Sequence, residues 1–227
     1  MLRSEGGLRE QHRLDYNLPV PRSRTWEAAY ADDHFIIQRL PRRFLSDLAG
    51  WMDHRLVAAS ERAYAGARLE RAPEKSYRYQ EDFCALGTDV RPRRGWAGTP
   101  LKKRHQLAVL ASRLVRLGEA DKRTMQSLVG SFGPPFLHRP ELSAVWHRVY
   151  TWVESMPPTG TARIPGDIKD EIVIATLLLG FAHASLRWDL DGYLRATDAT
   201  PTHFGATSTY IPEAIGRELT RAWYSSG

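Results

Sequence analysis

The chain has 227 residues, and 42% of them are hydrophobic, which is enough for one large domain or two small ones with a buried core and excludes disorder of the whole chain. Its single cysteine, Cys84, excludes an intrachain disulfide framework, and no Cys/His cluster has the paired spacing of a zinc ligand set. The net charge of +6 suits an acidic partner but does not identify one.

Neither a membrane span nor a secretion signal is expected. The longest strongly apolar stretch, 172–179, is far shorter than the roughly 20 residues that a membrane-spanning helix needs. The opening residues "MLRSEGGLREQHR" carry charges where a signal peptide has its apolar region. We therefore expect an intracellular protein, cytoplasmic or nuclear, with no membrane partner.

The amino-terminal part predicts an irregular leader followed by a hairpin. Residues 1–25 are polar and contain two prolines. From Trp26 to Ile37, two short apolar arms flank the adjacent carboxylates Asp32 and Asp33, and aspartate tolerates turn geometry. An Ala-rich helix through the same residues is the competing interpretation. The two acids either mark a plain turn or form part of a metal site.

A helix and one or two strands are predicted next. Leu45, Leu48, Met52 and Leu56 recur at helical spacing, which predicts a helix over residues 42–66. The segment "YRYQEDFCALGTDV" is short and aromatic, and Gly87 is a candidate turn residue within it.

A basic loop, "RPRRGWAGTPLKKRH", separates these strands from a helical region. Cations interleaved with an aromatic ring suit phosphate contact combined with base stacking, although a solvated loop kept soluble by its charge is an equal alternative. The candidate nucleic-acid contacts in it are Arg91, Arg93, Arg94, Lys102, Lys103 and Arg104.

Four helices are predicted after this loop. The first ends at Gly118, and its apolar face is Leu107, Leu110, Leu114 and Leu117. The second is closed by "GPP", and its apolar face is Met125, Leu128, Val129 and Phe132. The third is stopped by Pro157, and its apolar face is Leu142, Val145, Trp146, Val149, Tyr150 and Val153. The fourth runs over 167–181 and is apolar enough to be largely buried.

The carboxyl-terminal part changes character again. "YLRATDA" predicts a strand, and a link rich in Gly, Thr and Ser comes after it. A last helix is predicted with one apolar face, formed by Ile211, Ile215, Leu219 and Trp223.

Adjacent carboxylates at a hairpin tip can converge on a hard divalent cation. Mg²⁺ takes one or two protein carboxylates and completes its shell with water and substrate phosphates. Two such ions can activate a 3′-hydroxyl and stabilise a leaving pyrophosphate, which is the chemistry of nucleotidyl transfer.

"YADDHFII" resembles the YxDD hairpin of retroelement reverse transcriptases, and the later segments of the chain resemble that family in order. The 42–66 helix is similar to the palm helix, and "FCALGTDV" to the hairpin near the primer terminus. "TMQSLVGSFGPPFLHRPELSAVWHRVYTW" is similar to the helical thumb and connection of tyrosine-recombinase-type and related retrotransposon polyproteins. "LRATDATPTHFGA" is similar to the first strand of their RNase H domain, so the resemblance spans about 26–206.

The resemblance implies specific roles. Asp32 and Asp33 would be catalytic metal ligands for Mg²⁺ or Mn²⁺, and Tyr30 would lie near the primer strand. Lys75, in "GARLERAPEKS", would contact the incoming nucleotide and serve as a catalytic residue. Asp198 would lead the metal ligands of the RNase H site. The partner would be an RNA/DNA template-primer duplex.

We therefore predict an α+β fold with a partial reverse-transcriptase palm. The predicted segments are a leader (1–25), partial palm (26–94), helical thumb (95–158), connection helix (159–190) and partial RNase H-like segment with an isolated strand (191–227). Because only 29 residues precede Tyr30, we expect the first palm aspartate strand to be missing and the polymerase to be incomplete on its own. A non-catalytic basic nucleic-acid-binding module and a decayed element remnant are the alternatives.

Overall fold

A computed structural model describes residues 7–15, 18–30, 33–41, 52–70, 76–200 and 202–222. The chain divides into two compact units. Unit 1 combines Met1–Ser76 with Asp189–Gly227, and unit 2 is Tyr77–Trp188.

Unit 1 contains the predicted amino-terminal hairpin. Strand β1 (Thr25–Tyr30) pairs antiparallel with β2 (Asp33–Gln38), and the register places Tyr30 opposite Asp33 and Trp26 opposite Ile37. The hairpin interpretation of this segment is confirmed, and the helix is excluded. The aromatic and β-branched residues of both arms favour strands, and the aspartate-rich centre favours a reversal.

Helix α1 (Met52–Gly66) supplies part of the core of unit 1. It buries Leu56, Ala59 and Ala63 at i, i+3 and i+7, the spacing of one helix face. The first part of the predicted helix, residues 42–51, lies outside the described residues.

The carboxyl-terminal part of unit 1 is a hairpin and a helix. Strand β9 (Tyr193–Ala199) is confirmed, but the predicted link after it is wrong, because it forms strand β10 (Phe204–Tyr210) antiparallel to β9. Thr and Tyr in the link fit a pleated strand well, whereas its small residues are typical of a linker. Helix α6 (Glu213–Ala222) comes next, and Trp223 lies outside the described residues.

Unit 2 begins with a small antiparallel sheet. Its strands are β3 (Phe83–Ala85), β4 (Thr88–Arg91), β5 (Trp96–Gly98) and β8 (His183–Ser185), which neighbour one another in that order. Between β3 and β4 the chain reverses at Leu86 and Gly87, whose φ angles are 48° and 75°. Two consecutive positive φ angles are typical of a type I′ hairpin turn, so the turn predicted at Gly87 is confirmed.

Helix α2 (Leu101–Leu117) begins inside the segment predicted as a basic loop. That prediction is wrong in part, because Arg91 ends β4, residues 96–98 form β5, and Lys102, Lys103 and Arg104 occupy the first turn of α2. The predicted end is confirmed. Gly118 adopts a left-handed conformation with φ 77°, and its N–H donates to the carbonyl of Leu114.

Helix α3 (Lys122–Leu137) continues through the "GPP" segment that was predicted to close it. Pro134 and Pro135 lack the N–H groups that would bond to the preceding turn, which costs helix stability. Continuing the helix buries Phe136 against Phe132 and Trp146, with ring centroids 5.6 and 6.3 Å away. Burial of a large aromatic side chain outweighs the local preference.

The third predicted helix is divided in two. A 3₁₀ helix (Pro140–Val145) is followed, after a break at Trp146, by α4 (Val149–Ser155). The break turns the indole of Trp146 edge-on to Phe132, at a centroid distance of 5.1 Å. Two short strands, β6 (Glu119–Asp121) and β7 (Thr161–Arg163), pair antiparallel beside these helices.

Helix α5 (Gly166–Leu178) and a short 3₁₀ turn (Leu179–Phe181) confirm the fourth predicted helix. Ile168, Ile172, Ala175 and Leu179 are buried in the core of unit 2, together with residues of α2, α3 and α4. The prediction that the helix is largely buried is wrong, because Val173, Ile174 and Leu177 remain exposed.

The fold class is mixed α+β, with several small antiparallel sheets, as the sequence predicts. Within the described ranges, no helix has both the length and the apolar character required to traverse a bilayer.

Candidate nucleic-acid and metal site

Asp33 is the described member of the tandem acids. It is the first residue of β2 and is exposed, and its register partner Tyr30 is the last residue of β1. Because side chains alternate along a strand, Asp33 points to the face opposite His34. Asp32 and Lys75, the other two predicted catalytic residues, lie outside the described residues.

The opposite face of the hairpin holds a buried acid–imidazole pair. Glu27 on β1 is 0% exposed, and its Oε1 lies 2.8 Å from Nε2 of His34 on β2. The register allows this contact, because Glu27 lies opposite Ile36 and is therefore diagonal to His34. The sequence did not predict this pair, since a single glutamate within an apolar arm gives no signal of burial.

The leader completes the surroundings of Glu27. The backbone N–H of Leu8 donates to Oε2 of Glu27 at 2.6 Å. The backbone of Glu27 also bonds to the leader, donating to His12 and accepting from Leu14 at 2.8 Å each. Together these contacts hold Leu8 and the segment 12–14 beside the edge of β1, and the carboxylate has partners on both sides.

The predicted basic contacts divide into paired and exposed cations. Arg91 lies 3.3 Å from carboxylate oxygens of both Asp82 and Asp89, and Arg93 forms an ion pair with Glu81. Side-chain hydrogen bonds to these acids raise the pKa of both arginines. Arg91 and Arg93 are therefore engaged with acids. Arg93 is exposed despite its ion pair, and Arg94, Lys102 and Lys103 are exposed as well.

Arg104 has a structural position instead of the predicted phosphate contact. It is 8% exposed, and it donates from Nε to the carbonyl of Thr99 at 3.0 Å and from Nη1 to that of Leu179 at 2.9 Å. Its guanidinium also lies 5.4 Å from the ring centroid of Trp96. Burial lowers its pKa. A guanidinium committed to two carbonyls inside the fold does not reach a phosphate at the surface.

Lys103 lies next to the exposed turn between β3 and β4. A Cβ atom added at Gly87 would lie 4.0 Å from Nζ of Lys103, and Leu86 in the same turn is 60% exposed. The fold thus places an apolar turn beside the cations at the start of α2. Short antiparallel strands hold the turn, and Arg104 anchors the helix start that carries Lys103.

Charge is distributed unevenly between the two units. Unit 2 contains 16 Lys and Arg residues against 10 Asp and Glu, whereas the remainder of the chain contains 16 of each. The whole net charge of +6 therefore resides in unit 2. A surface with this excess attracts polyanions over distances of about one Debye length, roughly 8 Å at physiological salt.

Among the described residues, the structure offers single carboxylates and no ligand cluster for a divalent cation. Asp33 and Asp198 are both exposed, and Asp198 lies opposite Gly205 in the β9–β10 hairpin. Over the described part of the chain, no three His, Cys, Asp or Glu side chains come close enough together to hold a metal. The donor chemistry at Asp33 nevertheless fits Mg²⁺, which prefers carboxylate oxygen and retains several waters.

No protein-family model, curated protein or solved structure matches the chain. Any proposed function therefore depends on the residues and their geometry.

Proposed function

We propose that the chain handles an RNA/DNA template-primer duplex as part of a retroelement reverse transcriptase. The observation that carries the proposal is the β1–β2 hairpin, which presents the exposed Asp33 at the start of β2, next to Asp32 in the sequence. Two strands in fixed register give Asp33 a defined direction, as catalysis by positioned charges requires.

In this proposal the palm, thumb, connection and RNase H-like parts succeed one another along the chain. Asp32 and Asp33 would hold Mg²⁺ or Mn²⁺, which when bound supplies the charge that offsets the developing pyrophosphate. Lys75 would contact the incoming nucleotide, and Tyr30 would lie by the primer. Lys102, Lys103 and Arg94 would contact phosphates of the duplex.

Primer extension on an RNA template with Mg²⁺ or Mn²⁺ tests the polymerase proposal. Asp33→Asn should abolish extension, because an amide oxygen carries no charge with which to hold the cation. Asp198→Asn is the matched control, since Asp198 is likewise an exposed aspartate in a two-stranded hairpin. Extension that survives Asp33→Asn, or that falls equally in both variants, would contradict the assigned role.

A second candidate function is binding without turnover. The net positive charge is confined to unit 2, which favours binding without turnover, because contact with nucleic-acid phosphates needs cations but no metal. Duplex affinity should fall steeply with salt, and Lys103→Ala should lower the slope of log K against log[salt] by about one. Salt-sensitive binding without extension would select this function. A chain that neither binds nor extends would refute both.

A further inference from the structure

Helix α5 is apolar on two opposite sides. Its inner side packs Ile168, Ile172 and Ala175 into the core of unit 2. Its outer side, continued by the 3₁₀ turn, carries the α5 stripe, which we define as Val173, Ile174, Leu177 and Phe181. These positions recur at helical spacing on the side away from the buried residues.

The α5 stripe is exposed in this chain. The exposed fractions are 42% for Val173, 48% for Ile174, 70% for Leu177 and 57% for Phe181. A helix that is apolar all round is normally buried all round. Contiguous apolar patches of several hundred Å² on a protein surface mark sites of association.

Charges at the two ends of the α5 stripe indicate what covers it. Helices α2 and α5 run antiparallel, because Arg104 near the start of α2 bonds to Leu179 after α5, and Gly118 beyond α2 accepts from Ile164 before α5. The start of α2, which carries the exposed Lys102 and Lys103, therefore lies beside the carboxyl end of α5. The exposed Asp170 lies at its amino end.

We propose that the α5 stripe is the contact surface of a two-fold dimer of this chain. In an antiparallel arrangement centred on Leu177, Val173 of each copy faces Phe181 of the other. Asp170 of each copy then faces Lys102 and Lys103 of the other, so the ends are complementary in charge as a self-associating surface requires. A nucleic-acid backbone fits this surface poorly, because the four stripe residues are all apolar and an acid, Asp170, lies at the amino end.

Sedimentation velocity of the full chain over a wide concentration range tests the proposal. A reversible monomer–dimer equilibrium is expected, and Leu177→Glu should weaken it about tenfold or more, because dimerisation would bury two charges against each other. Leu137→Glu is the matched control: Leu137 is also an exposed helical leucine, at 77%, but lies at the end of α3. Circular dichroism should show both variants folded.

A charge exchange tests the orientation of the two copies. Asp170→Lys alone and Lys103→Glu alone should each weaken the dimer, and the double variant should recover much of the affinity.

Three outcomes overturn the proposal. The chain stays monomeric throughout, Leu177→Glu leaves the dimer intact, or Leu137→Glu weakens the dimer as much as Leu177→Glu does. Failure of the double variant to recover overturns the antiparallel pairing. If the chain remains monomeric while Leu177→Glu lowers duplex affinity, the stripe belongs to a nucleic-acid surface instead.

Discussion

Two adjacent cations at the start of α2 differ in burial: Lys103 is exposed, whereas Arg104 is buried. Arg104→Met should destabilise unit 2 by about 2–4 kcal/mol, since it removes the side-chain donor to the carbonyl of Thr99 and one of two donors to that of Leu179, which also accepts from Ala182. Lys103→Met should change stability by less than about 0.5 kcal/mol, because Lys103 is exposed. Urea unfolding of both variants measures the difference. Equal losses would show that the guanidinium is not structural.

His138, which directly follows α3, should make the stability of unit 2 depend on pH. Its pKa is lowered from the usual value, first by burial and then by the nearby charge of Arg104. The folded state therefore binds fewer protons than the unfolded state as pH falls below about 6.5, the ordinary value for histidine. The contribution of His138 to the free energy of unfolding should be fully present above that pH. It should be lost as pH falls through the lowered pKa.

Chemical denaturation at pH 7.5 and at pH 5 measures this effect as a difference between variants. The wild-type chain should lose more stability on acidification than His138→Gln, which cannot take up the proton. His105→Gln, an exposed position on α2, serves as the control and should keep the wild-type slope. A His138→Gln chain with an unchanged pH dependence would exclude the imidazole as the cause.

At the scale of the element, two glycines should respond to alanine with opposite signs. Gly118 ends α2 with φ 77°, which strains any residue with a Cβ, so Gly118→Ala should cost about 1 kcal/mol. Gly130 lies inside α3, and an added Cβ would meet nothing within 4 Å, so Gly130→Ala should gain about 0.5–1 kcal/mol. Melting temperatures of both variants test this, and a gain at Gly118 would refute the cap.

Local signals predicted the elements correctly where the tertiary structure agrees with them. The acids between two apolar arms predicted the β1–β2 hairpin, and Gly118 predicted the end of α2. The "GPP" segment misled because the burial of Phe136 overrides the preference of proline, a long-range effect that a local pattern does not contain. Strand β10 was missed because its small polar residues are also typical of a linker. They form a strand here because they pair with β9.

The candidate site was predictable only in part, for a related reason. The sequence identified Asp33, Lys102 and Lys103 as candidate site residues, since the charge of a residue follows from its type. It did not distinguish Arg104, which is buried, from its neighbour Lys103. Glu27 was missed because its partners, Leu8 and His34, come from other segments of the chain. Periodicity identifies an apolar helix such as α5 but does not reveal whether its second side is covered.

At the scale of the whole molecule, unit 2 contains its own hydrophobic core. The core cluster extends from Leu107 to Ala182, entirely within Tyr77–Trp188. A chain of residues 77–188 should therefore unfold cooperatively with native near-ultraviolet circular dichroism. Because it holds the whole net charge, it should also keep most of the duplex affinity and the salt slope of the full chain. A non-cooperative melt would contradict the independence of unit 2.

The bonding of Glu27 makes the first hairpin inseparable from the residues before it. A shortened chain that starts after Asp15 would keep both strands but lose the Leu8 N–H that donates to this carboxylate and the backbone bonds of His12 and Leu14 to Glu27. The acid would then face water on one side and the imidazole of His34 on the other, and the edge of β1 would be open to pairing with foreign strands. Trimmed versions designed for crystallisation should therefore retain Gly7 to Asp15, so that Glu27 keeps its buried contacts and the edge of β1 stays covered.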